Sequence, residues 1–127
     1  MKGEGPLVAV VDDEAPICRA LVRLLRSAHY RAEGFGSASA FLASLKERKP
    51  DCVVLDLQMP GMTGIELQQE LHRLEMPLPV IVITAHDEPD TRDRCLALGA
   101  AYYLLKPLES GTLIDRIGTI VGRRRRG

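Results

Sequence analysis

A chain of 127 residues with 46% hydrophobic content has enough apolar material for one core and too little length for two ordinary domains. Seventeen basic and seventeen acidic residues cancel, so no overall field favours nucleic acid or an anionic membrane, and the one local basic run, residues 123–126, reads as a solvated tail or linker. No stretch nears the roughly 18 apolar residues of a membrane span, and MKGEGP lacks the apolar heart of a signal peptide.

In chain order, five short apolar runs read as strands: 7–11, 31–35, 52–55, 80–84 and 101–105. Helical periodicity fills the gaps. After Asp13, Pro16 suits a first helical turn, and Ile17, Ala20, Leu21, Leu24, Leu25 and Ala28 keep one apolar face. A second helix starts near Ser37 and packs through Phe41, Leu42 and Leu45. The third begins with a capping-box pattern, Thr63 and Glu66, bracketed by Met62 and Leu67 at the staple positions, and its buried face is Leu67, Leu71 and Leu74. A fourth, about residues 90–98, carries few large apolar residues, so thin packing and mobility are expected there. The last shows Leu113, Ile114, Ile117 and Val121 at helical spacing despite Gly111 and Gly118. Alternating strands and helices predict an α/β fold with a parallel sheet covered on both faces.

Cys18, Cys52 and Cys95 are odd in number, have no metal-ligand spacing and lie in or beside apolar segments. They are expected as reduced core thiols, which points to the cytosol.

Polar residues follow the apolar runs: Asp12 and Asp13 after the first, Asp56 after the third, Thr84 closing the fourth, Lys106 after the fifth. In a parallel sheet with these strands adjacent, all five emerge at the carboxyl edge, where open α/β sheets hold ligands. Three nearby carboxylates repel one another, and a hard divalent cation removes the conflict. Oxygen ligands suit Mg²⁺, whereas His29, His72 and His86 are scattered and pair with no cysteine at zinc spacing. Lys106 and Thr84 offer a positive charge and a hydroxyl donor for the oxygens of a transferring phosphoryl group, with Asp56 as the nucleophile that forms an aspartyl phosphate.

The segments VVDDE, VVLDLQMPGMTGIE, VIVITAHD and YYLLKP resemble the receiver domain of two-component response regulators, over roughly residues 6–121. The resemblance implies a flavodoxin-like fold with strand order 2-1-3-4-5. It also implies that Asp56 takes phosphate from the phosphohistidine of a sensor histidine kinase or histidine phosphotransfer protein. Asp13 then ligates Mg²⁺ directly, Asp12 helps through water, and the backbone carbonyl of Gln58 is a further ligand. Thr84 and Lys106 match the phosphoryl-contacting hydroxyl and amine, and Tyr103 the aromatic that changes rotamer on activation. Tyr102 is expected as a surface aromatic. Lys106-Pro107 matches a peptide bond that is usually cis, and Gln58 and His86 match positions that tune phosphate lifetime. The fourth helix, fifth strand and fifth helix become the surface for a partner, an output domain or a homodimer.

On this reading residues 1–122 form the receiver and 123–127 the tail or linker, either stand-alone or cut from a longer regulator, with no direct contact to nucleic acid or membrane. A rival reading is a Mg²⁺-dependent phosphohydrolase with an aspartate nucleophile, but such enzymes place a second aspartate two residues on, where this chain has Gln58. A nucleotide-binding module is disfavoured by acids, rather than a glycine-rich turn, after the first strand.

Overall fold

The computed structural model describes the backbone of residues 5–126 and the side chains of residues 5–122. Strands and helices alternate as β1 (Leu7–Val11), α1 (Ala15–Ser27), β2 (Arg31–Phe35), α2 (Ala38–Ser44), β3 (Cys52–Asp56), α3 (Gly64–Arg73), β4 (Val80–Thr84), α4 (Pro89–Ala97), β5 (Ala100–Leu105) and α5 (Ser110–Arg126). All neighbouring strands are parallel, in the order β2-β1-β3-β4-β5 that the resemblance implied. No helix among the described residues is long and apolar enough to cross a membrane.

The three inner strands are buried at every residue, as apolar runs covered on both faces must be. Their two-residue side-chain period divides the core. Val8, Val10, Val54, Ile81 and Ile83 face Cys18, Leu21 and Leu25 of α1 and Leu113, Ile117, Ile120 and Val121 of α5. Ala9, Val11, Val53, Leu55 and Val82 face Phe41 of α2, Leu67 and Leu71 of α3, and Cys95 of α4. The three cysteines are buried and none is in a disulfide, as their apolar settings suggested.

Helix starts follow their local chemistry. Ser37 Oγ accepts from the Ala40 N–H at 3.1 Å, and the α3 capping box is closed by Thr63 Oγ1 accepting from Glu66 N–H at 3.2 Å and Glu66 Oε1 accepting from Thr63 N–H at 2.8 Å. Three helices end alike, on a residue with positive φ: His29 (73°) after α1, Glu75 (54°) after α3 and Gly99 (103°) after α4. The N–H groups of Tyr30 and Met76 then reach back to the carbonyls of Leu25 and Leu71, the six-residue closure that satisfies orphan carbonyls.

Some expectations need adjusting. β3 runs one residue further, through Asp56, and β5 starts one residue earlier, at Ala100. Ala20 is exposed on the outer side of α1, and Leu74 is 43% exposed because it caps α3 where the chain leaves the helix. Tyr102 is half-buried, packs on the α1/α5 side of the core and stacks under the Arg116 guanidinium at 5.4 Å. The backbone of α5 continues through Arg126, into the residues expected as tail or linker.

What positions the site most directly is Gly64. Its N–H bonds the Leu57 carbonyl at 2.9 Å, drawing the start of α3 back onto the loop after Asp56. A Cβ there would meet Leu57 Cα at 2.8 Å and the Asp56 carbonyl at 3.0 Å, both backbone atoms with little room to yield. Gly64→Ala is therefore expected to lower stability by about 1–3 kcal/mol, as overpacking does. Chemical denaturation measures it, and an unchanged midpoint would show that the loop absorbs the methyl group.

Candidate functional site

The buried strands deliver their last residues to one edge. Asp12 follows β1, with its N–H bonded to the Phe35 carbonyl at 3.0 Å; Asp56 ends β3, and Thr84 ends β4. The Lys106 N–H bonds the Thr84 carbonyl at 2.8 Å, so the ladder continues one step past β5 and places the lysine beside the threonine. Asp12 and Thr84 are 0% exposed and Asp56 4%, while Asp13 and Gln58 face solvent.

The expected carboxylates do converge. Ligand atoms of Asp12, Asp13 and Asp56 lie within 4.8 Å of one another. Asp12 Oδ1 accepts from the Glu14 N–H at 2.9 Å, but its Oδ2 is buried without a hydrogen-bond partner. Lys106 Nζ stands 3.7 Å from that oxygen and 3.5 Å from Asp56 Oδ1. At such separations it is an ion-pair partner, and a close hydrogen bond is still to be made. Asp56 Oδ1 also accepts a long bond, 3.4 Å, from the Gln58 N–H. Burial foremost, and then the Asp12 charge, push the Asp56 pKa up, with Lys106 pulling it down.

An oxygen-only donor set with a surplus of negative charge and one orphaned buried carboxylate oxygen fits a hard cation. The donors do not fit a soft metal, since the three cysteines are buried in the core.

Beside the acids, Thr84 Oγ1 accepts from the His86 N–H at 3.1 Å and lies 3.4 Å from the His86 carbonyl, to which it can donate. The Tyr103 hydroxyl donates to the same carbonyl at 3.2 Å. Thr84 and Tyr103 thus share one peptide group, a link that was not foreseen because it runs through the main chain of His86. The Lys106-Pro107 peptide is cis, as the resemblance implied. The contact formed by Gln58 is through its N–H.

Comparison with known proteins agrees with this geometry. The family model described as "Response regulator receiver domain" matches residues 8–118. The chain is 35% identical over 120 residues to Nodulation protein W of Bradyrhizobium diazoefficiens, covering 94% of the chain and 53% of that protein. It is also 35% identical to the phosphate regulon transcriptional regulatory protein PhoB of Pseudomonas aeruginosa, with the same coverage. The chain therefore spans about half the length of the curated relatives it matches. Among solved structures, a response regulator receiver protein from Burkholderia phymatum superposes with a TM-score of 0.81 at 44% identity, covering 92% of this chain and 95% of that one. A CheY-like receiver from Methanospirillum hungatei, at 23% identity, shares the fold with a TM-score of 0.89 over 98% of this chain and all of its own. With its acidic pocket and Lys106 at the sheet edge, the chain belongs to the response regulator receiver domains of two-component signalling, phosphoacceptor modules rather than turnover enzymes.

Proposed function

We propose that Asp56 is the phosphoacceptor, taking a phosphoryl group from a phosphohistidine in a Mg²⁺-dependent reaction. The observation that carries this reading is the Lys106 ammonium standing between Asp12 and Asp56 at 3.7 and 3.5 Å, above a triad of carboxylates. A receiver domain implies a histidine kinase as partner; a histidine phosphotransfer protein is the other donor of the same chemistry.

An Asp56 carboxylate oxygen attacks phosphorus in line, the P–N bond to the donor histidine breaks, and its electron pair returns to the imidazole nitrogen. Lys106 moves from its ion pairs onto a phosphoryl oxygen, and the Thr84 hydroxyl turns from the His86 carbonyl to donate to another. Asp12, Asp13, Asp56 and the Gln58 carbonyl would hold Mg²⁺, which when bound would compensate the charge of the crowded acids and of the incoming phosphoryl group. Water attack on phosphorus later releases inorganic phosphate and restores the carboxylate, with Gln58 and His86 flanking its approach and tuning the lifetime.

When Thr84 turns toward phosphate, the shared His86 carbonyl is released and Tyr103 changes rotamer. The face formed by α4, β5 and α5, which exposes Leu96 and Leu105 at 44% each, becomes the docking surface for a partner, a fused output domain or a second copy. The cytoplasm is the compartment where a kinase supplies phosphohistidine, and direct binding to nucleic acid or membrane is no part of this domain's work.

Asp56→Asn is expected to abolish acid-labile labelling by acetyl phosphate and Mg²⁺, read by intact mass; full incorporation in that variant would remove Asp56 from the reaction. Asp13→Ala is expected to weaken Mg²⁺ binding at least tenfold, because an exposed oxygen ligand is lost while the fold is untouched. Calorimetric titration measures this, and unchanged affinity would put the cation elsewhere. The raised pKa of Asp56 has its own consequence. A carboxyl whose folded pKa exceeds its unfolded value stabilises fully below the unfolded value and loses that contribution as pH rises through the folded one. In metal-free buffer at pH 7, Asp56→Asn should accordingly melt a few degrees above the parent chain, and the gap should close as pH falls toward about 4. A gap independent of pH would show that the carboxylate is not penalised.

A further inference from the structure

Burial along α4 is lopsided. Residues 85–90 are all exposed, Glu88 gives the first turn no side-chain cap, and Cys95 is the one buried residue of the helix. The Cys95 side chain sits in the α2/α3 side of the core. Its carbonyl, in the last turn where helix carbonyls have no partner of their own, accepts a 3.1 Å bond from Gln68 Nε2. Gln68 is only 2% exposed and occupies the apolar face of α3 with Gly64, Leu67 and Leu71. Its Oε1 is buried with no partner. A leucine or methionine there would remove the orphaned Oε1 but leave the Cys95 carbonyl unpaired in its place, so what the glutamine contributes is chiefly the bond to α4.

We infer that Gln68 is a positioning residue that pins the carboxyl-terminal turn of α4 to α3, so that α4 moves by pivoting about Cys95. The other end of the pivot is the first turn, where Thr91 Oγ1 donates to Glu88 Oε1 but no side chain caps the backbone; it follows the Thr84–His86 segment, whose His86 carbonyl the threonine and tyrosine hydroxyls share. α3 in turn is fixed close to the acceptor loop by the Gly64 N–H on the Leu57 carbonyl. The pinned end is therefore tied to the rigid side of the site, and the loose end to the side that rearranges. Only the naming of phosphorylation as the driver rests on the proposed function; the pin stands without it.

Amide hydrogen exchange followed by NMR tests the pin on the unphosphorylated chain. In the parent protein, the N–H groups of Leu98 and Gly99, bonded to the carbonyls of Arg94 and Leu96, should exchange about tenfold more slowly than that of Arg92, bonded to Glu88. Gln68→Met keeps the side-chain length and loses the donor. In it, Leu98 and Gly99 should speed up about tenfold to match Arg92 while amides of β1 and β3 keep their rates, a local change that general destabilisation would not produce. Acetyl phosphate with Mg²⁺ should then shift resonances of residues 85–93 in the parent chain but along the whole of α4 in the variant. Uniform exchange along α4 in the parent chain, or protection of Leu98 and Gly99 surviving in Gln68→Met, would overturn the pin. If the variant does not fold, the gradient in the parent chain decides. Absence of phosphorylation in both proteins would count against Asp56 as acceptor and leave the exchange result intact.

Discussion

Two of the three carboxylates that meet at the edge of this sheet are almost fully buried, and the rest of the structure is arranged around the repulsion between them. Burial and the Asp12 charge both raise the pKa of Asp56, and Lys106 is the opposing cation that the protein itself supplies. Its place depends on the parallel ladder, because the Lys106 N–H bonds the Thr84 carbonyl only where β4 and β5 end in step. That alignment in turn depends on β3 and β4, five-residue strands buried between two layers of helices, where a slip would turn each side chain to the wrong face. The site is left short of positive charge, which is the condition for holding a cation.

One peptide group links the site to the neighbouring strand. The His86 carbonyl is within reach of the Thr84 hydroxyl and already bonded to Tyr103, so a hydroxyl that turns toward phosphate alters the bonding of a residue on the neighbouring strand. Thr84 closes β4 and Tyr103 lies in the neighbouring β5. The inner strands are buried throughout, whereas the segment between β4 and α4 is wholly exposed. Buried and exposed parts of the site are thus separated in space, and in the proposed switch a gain in bonding at phosphate would bias the exposed part.

Much of this could be read from residue order. The five strands, the Ser37 and Thr63 helix starts and the acids at the carboxyl edge follow from apolar periodicity and capping chemistry, which act over a few residues. Leu74 and Ala20 were misjudged because spacing of three and four marks a helix face without saying where the helix ends or how wide the covering layer is. Gln68 passed unnoticed although its position, with Gly64, Leu67 and Leu71 at helical spacing, placed a polar group among apolar ones. The Thr84–His86–Tyr103 link was invisible for a different reason: main-chain carbonyls have no letter in a sequence.

By itself, then, the order of residues determined which segments are strands and which helices, the burial of the cysteines and the identity of the groups that gather at the sheet edge, since all of these depend on local hydrophobicity and on side-chain chemistry. Tertiary structure alone decided which oxygen of Asp12 is orphaned, how far Lys106 stands from each acid, that α4 is anchored at one end, and that two hydroxyls share one carbonyl. Those are distances between atoms brought together by folding from strands tens of residues apart, and no local pattern encodes them.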